Sequence, residues 1–90
     1  MNNVTLLELL KILYKDELLK IYMERPHKSE GYSYITTNSA EDILKDDEYD
    51  YLLDNEIRVV TVEIRHDPDY GFVLEIIVKE IYNESKWSII

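Results

Sequence analysis

The sequence contains no cysteine, and that one absence removes disulfide scaffolds, thiolate zinc sites and cysteine nucleophiles together. Two glycines and two prolines leave no material for a phosphate-cradling loop, a flexible linker or a collagen-like tract. No apolar run approaches the ~18 residues that cross a bilayer, and the amino terminus lacks a signal-peptide pattern, so a soluble cytoplasmic protein is expected. Basic residues are scarce as well: 10 Lys and Arg stand against 19 Asp and Glu, a formal net charge of −9. What is present is 46% hydrophobic and 32% charged residues in a chain of 90. That suffices for a single folded domain over residues 1–90, but not for a deep cleft.

The negative charge is unevenly spread. Residues 1–40 carry five acids and five bases, and residues 57–90 six acids and four bases. Residues 41–56, EDILKDDEYDYLLDNE, carry eight acids against Lys45 alone. Such a field repels nucleic acid and anionic lipid and draws in a basic protein surface. Neither direct nucleic-acid binding nor membrane binding is expected.

Hydrophobic periodicity orders the chain. Val4 to Tyr14 reads as a helix: Thr5 and Glu8 form a capping box, Val4 and Leu9 a hydrophobic staple, and Leu6, Leu9, Leu10 and Leu13 an apolar face. Leu18 to Glu24 alternates as a strand does. Arg25 to Gly31 is a polar turn, and Tyr32 to Thr36 is aromatic and β-branched enough for the returning strand. Ser39 is a helix N-cap with Glu41 and Asp42 in the first turn. Residues 40–54 form either one helix or two broken near Asp46 and Asp47, where either Asp can cap the second. From Ile57 the period is two. Val60, Val62 and Ile64 point one way and Thr61, Glu63 and Arg65 the other. After the turn signal Asp67-Pro-Asp-Tyr-Gly71, Phe72, Leu74, Ile76 and Val78 are expected to face the core, with Val73, Glu75, Ile77 and Lys79 outward. The tail Asn83–Ile90 receives no element, although Trp87, Ile89 and Ile90 are costly to expose. The expected fold is α+β, in the order α-β-β-α-β-β, with helices packed on an antiparallel sheet of about four strands.

Catalytic and metal chemistry is hard to find. His27 and His66 each sit beside a turn with no third ligand at a useful spacing, so they read as solvated loop histidines rather than a metal site. Asp67-Pro-Asp-Tyr-Gly71 is no calcium loop: its Gly comes one position early and Val78 stands where the bidentate Glu belongs. Ser and Thr have no partnered base in a known motif, and the carboxylates lie on polar faces where nothing separates their pKa values. Asn3-Val4-Thr5 and Asn83-Glu84-Ser85 match glycosylation acceptors, which an unsecreted protein never uses. No enzyme activity, cofactor or metal is expected.

The acidic stretch is what remains. On an α-helix, Asp46, Asp50 and Asp54 recur every four residues on one face, about 6 Å apart along the axis, with Asp47 and Glu48 widening the row. Such a row costs helix stability through like-charge repulsion, so an evenly mixed surface would be cheaper. Its spacing is similar to that of phosphates along a nucleic-acid strand, and a groove of Lys and Arg built for DNA or RNA would accept it. Tyr49 and Tyr51 lie within the row, where Tyr suits an interface, although one of them must face the core. The plain alternative is a solvated face that keeps a small protein soluble.

Four segments carry a resemblance: Thr5-Leu-Leu-Glu-Leu-Leu-Lys11, Leu18-Leu-Lys-Ile-Tyr22, Ser39-Ala-Glu-Asp-Ile-Leu44 and Leu52-Leu-Asp-Asn-Glu-Ile-Arg-Val-Val60. In style and element order across residues 4–80 the chain resembles small acidic proteins of phages and prophages of Gram-positive bacteria. That group includes anti-CRISPR proteins, several of which present DNA-like acidic surfaces to a Cas nuclease. The resemblance implies an inhibitor of a host nucleic-acid-handling protein, most plausibly a CRISPR nuclease, acting by competition and without turnover. Asp46, Asp47, Glu48, Asp50, Asp54 and Glu56 are the expected phosphate stand-ins, with Tyr49 as an anchor at the rim. The alternative expectation is a small accessory module with a merely solvated acidic face. It would be a homodimer through an exposed strand edge or through Val73, Ile77 and Ile81.

Overall fold

The computed structural model describes residues 4–24 and 31–81. In chain order its elements are helix α1 (Leu6–Ile12), strands β1 (Leu18–Glu24) and β2 (Tyr32–Ser39), helix α2 (Ala40–Lys45), a 3-10 helix η1 (Asp47–Leu53), and strands β3 (Ile57–Asp67) and β4 (Gly71–Glu80). Residues 25–30 of the turn expected over Arg25–Gly31, His27 among them, and the tail 83–90 lie outside the described residues.

The capping box forms as the sequence requires. Thr5 Oγ1 accepts from the Glu8 amide at 3.1 Å, and Glu8 Oε1 accepts from the Thr5 amide at 3.1 Å. These bonds hold the Glu8 carboxyl below its ordinary pKa. Val4 and Leu9 both pack against the core, completing the staple. The helix closes at Ile12, two residues short of the expected Tyr14, because Leu13 takes extended backbone at φ −83° and ψ 155°.

The fold is α+β, but the sheet is mixed rather than wholly antiparallel. Its strand order is β2-β1-β4-β3, with antiparallel hairpins β1/β2 and β3/β4 joined by a parallel pairing of β1 with β4. The reason lies in burial. β1 and β4 bring Leu19, Ile21, Ile76 and Val78, all essentially inaccessible, and setting them side by side keeps the most apolar strands in the centre. The more polar β2 and β3 become the edges.

The two helices and η1 cover one face. Leu6 and Leu10 from α1, Ala40 and Ile43 from α2, and Leu52 from η1 close over Leu19, Ile21, Ile57, Val59, Ile76 and Val78. Each fully buried aliphatic side chain contributes roughly 1.5–3 kcal/mol. No helix among the described residues is long and apolar enough to cross a membrane.

Two corrections concern which side chains the sheet buries. The β3/β4 register slips between Val59 and Thr61, so Val60 is the extra residue of a bulge. A one-residue slip exchanges faces, which is why Ile57 and Val59 enter the core in place of the expected Val60. Farther along, Ile64 and Phe72 share the helix-covered face but run past the helices, and are 73% and 72% exposed. Val73, expected outward, is only 2% exposed. Lys20 Nζ donates to Asp67 Oδ2 at 3.0 Å, although on β4 Lys20 is level with Glu75 and Asp67 with Gly71. The hairpin end therefore curls over the open face of the sheet and encloses Val73, which is unavailable to a dimer partner.

Candidate partner-binding surface

The acidic stretch folds as two short helices meeting at Asp46. Ser39 Oγ accepts from the Asp42 amide at 3.2 Å to start α2. Lys45, the only base between residues 41 and 56, pairs with Glu41 one turn back. That pairing lowers the Glu41 pKa and raises the Lys45 pKa. At Asp46 the backbone turns extended (φ −87°, ψ 118°), and Asp46 Oδ1 accepts from the Glu48 amide at 3.0 Å to cap η1. Asp54 takes the corresponding place beyond η1, its Oδ1 accepting from the Glu56 amide at 2.9 Å.

This geometry replaces the expected four-residue row. Asp46 and Asp54 are caps at the two ends of η1 and do not share a helical face with Asp50. A 3-10 helix has about 3 residues per turn and rises about 2 Å per residue, so side chains three apart eclipse. Asp47 and Asp50 therefore align about 6 Å apart along the axis, with Glu48 and Tyr51 on the adjoining ridge. Tyr49 and Leu52 share the third ridge, which turns inward. Asp46, Asp47, Glu48, Asp50 and Asp54 are exposed, and Glu56 is half-buried.

Tyr49, expected at the rim, is tied to the interior. Its hydroxyl lies 2.9 Å from Thr36 Oγ1 and accepts from Asn38 Nδ2 at 3.1 Å, fastening η1 to β2. Leu52, at 0% exposure, fastens the same helix to the core. The acidic ridges are thus mounted on a segment held at both caps and along its inner side.

Tyr51 is the aromatic that faces solvent, at 53% exposure. Partial desolvation pushes its pKa up, with smaller contributions from Tyr49 and Glu48. Tyr51, Asp54, Glu56 and Glu80 join Met23 and Ile57 around a crevice of about 190 Å³. Glu80 was missed in the sequence. Counting back symmetrically from the turn sets Arg58 opposite Glu80, whereas the bulge sets Ile57 there.

Ion pairs among the described residues join Lys20 to Asp67, Lys45 to Glu41, and Arg65 to both Glu63 and Glu75; none includes a carboxylate of residues 46–56. Among the described residues no group of three or more His, Asp or Glu is arranged to hold a metal. Chemically, the surface offers fixed negative charge that no described residue pairs, beside an exposed phenol, which suits cationic side chains. Comparison with protein-family models, curated proteins and solved structures finds no match to this chain.

Proposed function

We propose that the protein is a phage-encoded inhibitor that occupies the nucleic-acid groove of a host protein, most plausibly a CRISPR nuclease, through the acidic ridges of η1. The observation that carries this reading is the exposure of Asp47 and Asp50, without a counterion among the described residues, on a helix capped by Asp46 and pinned by Tyr49 and Leu52. A stiff carboxylate row enters a Lys/Arg groove without the ordering cost a disordered acidic tail would incur. Asp54 and Glu56, with Tyr51 and Glu80, extend the surface to a crevice fit for a cationic side chain. Inhibition is competitive and involves no turnover. Steering by the net charge of −9 makes association fast and salt-sensitive.

The experiment is competition for DNA. A guide-loaded CRISPR nuclease from a Gram-positive host is titrated with target duplex in the presence of the protein or of the D47K/E48K/D50K variant. Asp46 and Asp54 are left intact because they are caps. The wild type should displace duplex and the variant should not; equal displacement by both removes the acidic ridges from the contact.

A further inference from the structure

We propose that a second copy of this chain adds to the outer edge of β3, with Ile64 on the two-fold axis, to give a continuous eight-stranded sheet. Among the described residues β3 has a strand neighbour on one side only. Its opposite edge is met among the described residues only at its start, where Thr5 bridges Arg58 and the Val59 amide donates to the Val4 carbonyl at 2.8 Å. Edges in monomers are usually blunted by charged side chains, Lys above all, by Pro, by a bulge or by inward charge. The stretch Thr61–His66 has neither Lys nor Pro, its two charges, Glu63 and Arg65, are of opposite sign, and its bulge lies at the end already met by Val4 and Thr5.

The side chains are self-complementary about Ile64. In an antiparallel pairing centred there, Glu63 of each copy stands opposite Arg65 of the other, so two cross-strand ion pairs form on one face. On the other face Ile64 meets Ile64 of the second copy. Within one chain, Leu19, Leu74 and Ile64 are register partners along one row across β1, β4 and β3. That row runs from the buried Leu19 to the 73%-exposed Ile64, with Phe72, 72% exposed, beside its end. The second copy continues the row and covers its open end. The interface is isologous, as a two-fold dimer requires. One strand edge is a small contact, so the dimer belongs to the weak, concentration-dependent class.

Sedimentation equilibrium of the full chain, over protein concentrations from about 1 µM to 1 mM, tests this. The wild type should move from the monomer toward twice its mass. E63R sets two like-charge pairs across the axis and should weaken association about ten-fold. The double variant E63R/R65E restores opposite charges in both copies and should regain it. In the monomer E63R loses the exposed Glu63–Arg65 pair but sets an arginine level with Glu75, and the double variant keeps opposite charges at 63 and 65, so only weak surface pairs are exchanged and the fold is kept. A wild type that stays monomeric throughout, an E63R variant that associates equally well, or a double variant without recovery overturns the proposal.

Discussion

Asp67 closes the β3/β4 turn by accepting from the amides of Asp69 at 2.8 Å and Tyr70 at 3.2 Å through Oδ1, while Oδ2 takes the Lys20 ammonium. The backbone bonds first, and Lys20 second, hold its carboxyl below the ordinary carboxylate range. The same bond raises Lys20. A depressed carboxyl stabilises the fold above its unfolded pKa and ceases to do so as pH falls through the lower, folded value. Lys20, being raised, contributes below its unfolded pKa and loses that contribution in strong base. Thermal denaturation of Asp67→Ala should therefore show a lower Tm than wild type at neutral pH. The gap should narrow only below about pH 4, the model carboxylate range. Tyr49→Phe tests another single-atom role: losing the hydroxyl should cost about 1 kcal/mol in urea denaturation while leaving partner binding unchanged. A large loss of binding with unchanged stability would return Tyr49 to the rim.

Among the elements, η1 decides whether the acids are a surface or a tail. Leu52 is its buried anchor, and Leu52→Ala should cost about 2–5 kcal/mol, read as a shift of the chemical-denaturation midpoint. The same variant should expose η1 to amide exchange ahead of the β1/β4 centre of the sheet. Local sequence signals foretold much at this scale. The Thr5 and Ser39 caps and the Asp67–Gly71 turn rest on contacts within a few residues, whereas the pattern over residues 40–54 fits one helix or two, and only the extended backbone at Asp46 decides between them. The 3-10 geometry was hidden because Leu52 and Leu53 fit an α-helical apolar side as well as they fit η1. The Val60 bulge was hidden for a related reason: Ile57 and Val59 are apolar in one register and Val60 and Val62 in the other, so alternation does not show where the faces exchange. Tyr49 and Tyr51 could not be told apart until the turn angle of their helix was known.

At the scale of the whole molecule, strand order and charge placement are the non-local quantities. No local pattern states that β1 meets β4 in parallel, and only the competition for central positions selects it. The exposed Ile64 and Phe72 likewise follow from how far a ten-residue strand outruns a seven-residue helix at about 3.3 Å against 1.5 Å per residue. The inhibitor reading is itself a statement about the long-range field. The most direct measurement is the affinity of the protein for a guide-loaded CRISPR nuclease, taken by calorimetry across a salt series for wild type and for D47N/D50N. The expected result is an affinity that falls steeply with salt, and a weaker, flatter dependence when the aligned carboxylates are neutral. The same affinity and the same salt slope for both proteins would contradict it.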